Sequence, residues 1–596
     1  MEVLKKYIEE NKKEAVVVLL ISLFALVLRC IALFSAGDLW LDEIYSFYFS
    51  SKDSVFEVVK SLYVEDLHTP LYFILLHFWI KIFGQNDTMM RLLGFIPSFL
   101  AVPFSFYIGK KLFNKKCGYF ASIMLAISPF AIYYSTELRF YGILFFLALL
   151  SSFFFVEFIN KEDKTNKTAL IITNLLLLYT FNIGFIFIFF QFLCGIIFSK
   201  DRIKVLKTYL LTGIFYIPGF IMAAHGIFAY RNTICSFVED IFIYKSDFIS
   251  IFLQSYFTGN FYYALNNAYE YNDEIISAIF EPKQIFLILF PVIFCLTGFF
   301  RAIYEAIIQN FLKFKDEKLK PCNIENKNLA LFLFPSLIFL LFEFTMAHFG
   351  KMSLIARYTL IVYPVILIVC AYGFSLLRFK KILYVCFILY TISILHFVFS
   401  KEAIKKQTLI GTPVRNLFNQ FQTKSDDYII APIMGKLYKR YLPENITYID
   451  FEATDMLLNN GNKYFSFVFD KDTTERLNRK NAREILREFV INDSINKHLE
   501  NNLKTQYFDK MQKGQAFIVL INDIRAVNDI GIIYGVPYEE RSKLYDKGSL
   551  YYMLTSKIAF DIFRISNKYL KQIKYYKITD KKAEYNNTGI FIFLKE

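Results

Sequence analysis

The feature that most restricts this chain is a succession of apolar runs, each close to 20 residues long, through its first 400 positions. The hydrocarbon core of a bilayer is about 30 Å thick and takes about 20 apolar residues of helix to cross. On that ruler the sequence predicts about eleven spans, at 15–36, 91–112, 118–136, 140–159, 168–183, 184–199, 205–223, 284–302, 328–347, 358–378 and 382–399. Composition agrees: of 596 residues 55% are apolar and 20% charged, and the mean hydropathy is +0.38 although the last third reads polar. Those figures exclude a string of soluble domains, a disordered chain and a fibrous one. The run from Ala15 to Ala36 is too long for a signal-peptide core and has no convincing cleavage site, so it reads as a retained first span.

The net charge of +14, from 67 basic and 53 acidic residues, suits either a nucleic-acid binder or a membrane protein with basic cytoplasmic loops. The distribution decides between them. Basic clusters fall at 5–13, 110–116, 161–167, 200–207, 313–320 and 378–381, between apolar runs and on alternate loops, whereas nucleic acid would need one contiguous basic face. No nucleic-acid partner is expected. The clusters predict a multi-pass protein of the inner or plasma membrane with a cytoplasmic N-terminus, in contact with membrane lipids. Loops 37–90, 137–139, 224–283 and 348–357 then lie outside, together with 401–596.

Residues 70–84, PLYFILLHFWIKIFG, are apolar but short for a span, and a crossing there would invert every later loop. The segment is read as an interfacial or re-entrant helix. Both tryptophans, Trp40 and Trp79, fall in this first outer loop, as anchoring at the interface favours. All eight cysteines lie between Cys30 and Cys386, with no spacing that implies a disulfide framework or zinc. After Ser400 the pattern changes to short strands and amphipathic helices: strands at 428–431, 464–469 and 516–521, a helix around 435–441 and a charged helix from Thr473 to about Phe489. The fold class expected is an α-helical polytopic membrane protein, residues 1–400, with an extracytoplasmic soluble α/β domain at 401–596.

A few charged residues stand out against this background. Asp42 and Glu43 follow the first span; Asp42 either caps a helix beginning near Ile44 or takes part in chemistry. Arg29 lies inside the first span, where a charge costs about 2.5–3.5 kcal/mol on insertion scales. It should face an interior partner or an aqueous cavity, unless it snorkels outward. Glu137 and Arg139 sit in a very short outer turn, YYSTELRFYG, and Lys351, Arg357 and Tyr358 at another outer boundary, GKMSLIARYTLIVYP. Carboxylates and cations gathered at one membrane face suit an anionic, lipid-linked sugar, because phosphate needs Arg or Lys beside it.

The ordered segments LWLDE, LHTPLYFILLHFWIKIFGQNDTMMRLLGFIPS, YIGKKLFNKKCGYFASIMLAISP and YYSTELRFYG, with ARYTLIVYP later, resemble the GT-C glycosyltransferases. The nearest group is the bacterial branch related to protein O-mannosyltransferases and to the lipid A aminoarabinose transferase. The resemblance is good over 15–160, moderate over 328–380 and slight beyond 400. It implies a membrane enzyme that takes a sugar, a hexose such as mannose or a modified pentose, from a polyprenyl-phosphate donor. The sugar passes with inversion to a hydroxyl of a protein, lipid or glycan acceptor on the outer face. The resemblance makes Asp42 the general base with Glu43 in support. It places Arg29, His68, Arg91, Glu137, Arg139 and Arg357 toward the donor's phosphate and sugar, and the need to hold the departing phosphate adds Lys351 and Tyr358 beside Arg357 as candidates. Thr69 stands where many relatives carry a second proline after the histidine. No cofactor is implied beyond a divalent cation, which by analogy could sit between Asp42 and Glu137.

Two other classes compete. A transporter or lipid flippase with an extracytoplasmic partner-binding domain should show repeats and mid-membrane ionisable groups. Here no repeat is evident and the notable charges gather at one face. A receptor or anchor would leave the polar residues of loops 37–90 and 348–357 without a purpose. Loop 224–283 serves either the acceptor or as packing for the C-terminal region.

Overall fold

The computed structural model of the chain describes residues 12–39, 41–66, 68–161, 163–231, 291–304, 324–348, 356–377, 380–399, 426–431, 439–442, 446–449, 451, 466–477, 482–521, 550–579 and 587–596. Within these the first 400 residues are helical. Helix α1 (Lys12–Ser35) is followed by three short helices, α2 (Leu41–Ser50), α3 (Val55–Glu65) and α4 (Leu71–Phe83). Next come α5 (Asp87–Leu112), α6 (Lys115–Ile127), α7 (Pro129–Ser135), α8 (Tyr141–Lys161), α9 (Lys164–Thr180), α10 (Gly184–Phe198) and α11 (Arg202–Arg231). Beyond them lie α12 (Pro291–Tyr304), α13 (Ile324–His348), a 3₁₀ turn Ala356–Ile361, α14 (Tyr363–Ser375) and α15 (Lys380–Phe399).

Five of the described helices, α1, α5, α8, α11 and α13, are long and apolar enough to cross a bilayer, and α6 with α7 makes a sixth if that bent pair is one span. The runs at 168–183 and 184–199 form shorter helices, and that at 382–399 lies in the 20-residue α15. Helix α10, at 15 residues, reaches only about 22 Å. The run at 358–378 divides into the 3₁₀ turn and α14. Helix α4 has 13 residues, too short to cross, as the sequence predicts. One side packs beneath α2 and α3, while Leu75, Phe78, Ile82 and Phe83 are bare. Bare apolar side chains also cover the outside of α1 (Leu19, Leu20, Leu23), α11 (Ile214, Ile217, Ile221) and α15 (Ile388, Ile392), a surface suited to lipid rather than water.

The run expected as one span at 118–136 bends by 57° between α6 and α7. Pro129 has no N–H to continue the ladder and disfavours helical backbone at Ser128, so α6 stops there and Ser128 caps α7 through the amide of Ala131. The carbonyls of Leu125 and Ala126, left open at the end of α6, accept hydrogen bonds from Arg29 of α1 at 3.3 and 3.2 Å. A charge inside a span thus finds an interior partner in a broken helix end.

Ion pairs fix which helix ends lie together. Glu14, at the start of α1, meets Lys110 at the end of α5 and Lys115 at the start of α6. Glu157, near the end of α8, meets Lys111 and Lys161. These ends share one side of the bundle, so the C-terminus of α1, the N-terminus of α5 and the N-terminus of α8 share the other. Helices α5 and α8 cross there in backbone contact: a methyl group at Gly142 would lie 2.1 Å from the carbonyl oxygen of Gly94. The expected result of Gly142→Ala is a loss of about 1–3 kcal/mol from overpacking, read as a lower midpoint in thermal unfolding in detergent. Inside the bundle Ser151, Asn174 and Gln191 of α8, α9 and α10 satisfy one another, all fully buried.

The C-terminal region holds a five-stranded sheet in the order β2-β1-β3-β5-β4. Its strands are β1 (Tyr428–Ile430), β2 (Thr447–Ile449), β3 (Ala516–Ile521), β4 (Lys571–Thr579) and β5 (Asn587–Leu594). β1 pairs in parallel with β2 and β3, and β5 runs antiparallel to β3 and β4. The strands expected at 428–431 and 516–521 are present; β3, buried at every position, is the centre of the sheet. The strand expected at 464–469 is corrected: 466–468 form a helical turn. Asn496 and Asn502, on the helix side, donate to the carbonyls of Val468 and Phe467, so these carbonyls serve side chains and no sheet partner. Of the charged helix expected at Thr473–Phe489, the described residues are helical at Lys471–Leu477 and Ala482–Ile491, and of the helix around 435–441 only 439–441 lies among the described residues. The sheet's helical cover includes Leu550–Tyr569, whose Ile558, Ile562 and Ile565 are fully buried.

Candidate active site

The site is built where the loop after α1, the turn between α7 and α8, and the 3₁₀ turn meet. Helix α2 begins at Leu41, so Asp42 lies inside its first turn and is no N-cap. Adjacent residues on a helix point about 100° apart, and the two carboxylates have different surroundings. Glu43 is fully buried. Its oxygens accept two hydrogen bonds from Arg91 of α5, at 2.9 and 2.7 Å, and one from the amide of Leu138 at 2.7 Å. The same guanidinium donates to the carbonyls of Gly37 and Asp38. Glu43 and Arg91 therefore pin the loop after α1 to α5 and to the α7–α8 turn, and neither offers a free group to a ligand. The expected support from Glu43 and donor contact by Arg91 thus fall on two residues that form a buried ion pair.

Asp42 is 24% exposed at its side chain and faces the Arg357 guanidinium at 3.2 Å. Arg139 donates to the Asp42 carbonyl at 3.4 Å and to Ser46 at 3.3 Å, and its other amino group lies 3.2 Å from His68 Nε2. With that nitrogen accepting from Arg139, His68 donates through Nδ1 to Asp66. Burial works against ionisation of Asp66, but His68 and Arg139 outweigh it and hold the carboxyl below its usual value. The ionised form is thus favoured by folding. Its stabilisation is complete above the ordinary carboxylate value of about 3.9 and fades as the pH falls through the lower folded value. Thermal melts should show wild type more stable than Asp66→Asn by a constant margin above about pH 5, with the margin closing as the solution is acidified further.

The other predicted residues divide. Glu137 is buried in the α7–α8 turn, and Tyr141 lies within electrostatic reach of Glu137, Asp42, Arg139 and Arg357. The Tyr358 ring lies 5.9 Å from the Arg357 guanidinium. Arg29 donates to the open carbonyls at the α6 break. Lys351 and the loop 232–283 lie outside the described residues. Asp66, Ser46 and Tyr141 were missed by sequence reasoning, although Asp66 stands two positions before His68 in EDLHTP. A divalent cation at Asp42 and Glu137 does not fit these residues. Asp42 already faces the Arg357 cation, and among the described residues no group of three His, Cys, Asp or Glu could hold a metal.

Residues 67–224 match the family model described as dolichyl-phosphate-mannose-protein mannosyltransferase, a stretch that includes His68, Arg91, Glu137 and Arg139. The crystal structure of apo ArnT from Cupriavidus metallidurans superposes with a TM-score of 0.50 at 10% identity, covering 96% of this chain and 97% of that one. The ArnT match shows a shared fold, and the family match covers residues 67–224. The archaeal oligosaccharyltransferase AglB from Archaeoglobus fulgidus, in complex with an inhibitory peptide and a dolichol-phosphate, aligns at TM-score 0.46 and 13% identity over 97% of this chain and 74% of that one. No curated protein sequence matches. The fold likeness to ArnT includes the C-terminal region, where sequence resemblance is slight, and the family match covers the α7–α8 turn and His68 but neither Asp42 nor Arg357.

Proposed function

We propose that this chain is a GT-C glycosyltransferase that transfers a sugar from a polyprenyl-phosphate donor to an acceptor hydroxyl, with inversion at the anomeric carbon. The observation that carries the reading is the pairing of part-exposed Asp42 with Arg357, backed by Arg139. A glycosyl phosphate has a good leaving group, so the demand falls on holding the phosphate charge as the C1–O bond breaks. Arg357 and Arg139 supply that hold in a partly dehydrated site, with Tyr358 and Lys351 as further candidates. When the phosphate takes Arg357 as its partner, the Asp42 carboxylate is released to accept the proton of the hydroxyl attacking C1 from the opposite face.

The same reading makes residues 1–400 the membrane-embedded catalytic part and places 401–596 on the outer side with the site, the basic loops remaining cytoplasmic. The donor class follows from the cations beside a membrane surface and from the description of the matching family model; the acceptor is a protein, lipid or glycan hydroxyl. Purified protein incubated with labelled polyprenyl-phosphate sugars should release or transfer sugar, followed by mass spectrometry. No sugar released or transferred from any such donor would overturn the proposal.

A further inference from the structure

We propose that Arg440 and Tyr441, in the C-terminal region, are positioning residues for the site, holding the segment that carries Asp42 in its working place; this rests on the function proposed above.

Tyr441 reaches across 402 positions of sequence: its hydroxyl accepts the amide of Leu39 at 2.7 Å and donates to Asp87 at 3.0 Å. Burial, and then the Asp87 carboxylate, push that hydroxyl's pKa up, so it stays protonated and able to donate. Arg440 donates to the Asp87 carboxylate at 2.5 Å and to the Gln85 carbonyl at 2.7 Å, and its guanidinium lies 4.0 Å from the centre of the Phe47 ring on α2. The side chains of Arg440 and Asp87 are 11% and 12% exposed, so the pair is largely shielded from solvent.

Asp87 is in the first turn of α5, where a carboxylate is favoured by the helix dipole. Arg91 follows one turn later on the same face and holds Glu43, Gly37 and Asp38. One helix face therefore serves both grips on the loop. Arg91 holds it from within the bundle, while Arg440 and Tyr441 hold Leu39 and Phe47 from the C-terminal region. Asp42 lies in sequence between those two anchors. A shift of about 1 Å in a reacting group can cost about 10²-fold in rate, so a hold on both sides of Asp42 bears directly on turnover.

The test compares wild type with Arg440→Ala and Tyr441→Phe in the full-length protein. Hydrogen exchange in peptides covering 37–50 should quicken in both variants, while peptides covering β3 keep wild-type protection. With a polyprenyl-phosphate sugar as donor, kcat per folded molecule should fall by about 10²-fold for Arg440→Ala and less for Tyr441→Phe, with the donor KM little changed. Arg440→Lys, which keeps the charge but lacks the planar fork, should restore only part of the rate. Unchanged exchange across 37–50, or an unchanged kcat per folded molecule in an active preparation, overturns the proposal. If Arg440→Ala also loses protection in β3, it has unfolded and Tyr441→Phe decides. If wild type transfers no sugar at all, the function proposed above fails, while the exchange measurement still decides whether these residues hold the loop.

Discussion

Asp42→Asn should leave the protein folded and lower sugar transfer by about 10²–10⁴-fold, the range typical for loss of a general base. The substitution keeps the shape and one acceptor oxygen facing Arg357, and the side chain is part-exposed, so little packing is disturbed. What is removed is the capacity to accept a proton. The measurement is turnover per folded molecule with a labelled polyprenyl-phosphate sugar, alongside a thermal melt. Turnover near the wild-type rate would remove Asp42 from the role of base. Recovery of the lost activity on adding a divalent metal would instead make it a ligand, against the Arg357 pairing seen here.

Glu43→Ala should behave in the opposite way, as a loss of folding. It leaves Arg91 buried beside a missing carboxylate, and breaking one side of a buried pair costs about 3–5 kcal/mol. The amide of Leu138 loses its acceptor as well, which adds a further cost. A lower melting midpoint and reduced yield of monodisperse protein are the expected readouts. The double variant Glu43→Leu with Arg91→Met should be milder, because no uncompensated charge remains. Adjacent carboxylates would thus separate by phenotype, Asp42 through rate and Glu43 through stability. Equal loss of stability in Asp42→Asn and Glu43→Ala would contradict that division.

Much of the membrane architecture was legible because length and hydropathy are local quantities. The helix boundaries of α1, α5, α8 and α13 follow the apolar runs closely, and the short α4 was recognisable from its length alone. The bend at Ser128–Pro129 was not anticipated, although Pro129 was in view, because proline can also sit inside a span, as Pro97 and Pro103 do in α5. In the C-terminal region the buried central strand β3 was readable as an apolar run. The edge strand β4, KQIKYYKIT, mixes lysines with apolar residues and gains its identity from pairing with β5.

The candidate site shows the same boundary between local and distant information. The sequence by itself determined that charged residues gather near the ends of certain spans, and the resemblance it carries directed attention to Asp42, Glu43, His68, Glu137, Arg139 and Arg357. Only the tertiary structure decided where each of them sits. Glu43 is committed to Arg91, Arg29 to the carbonyls of a broken helix, and Asp42 faces Arg357 with part of its surface open. Only the tertiary structure, too, brought Arg440 and Tyr441 onto the loop that carries Asp42. The physical reason is that hydrophobic periodicity acts over a few residues of chain, whereas the role of a charge is set by the partner that desolvation forces it to find, and that partner can lie anywhere in the sequence.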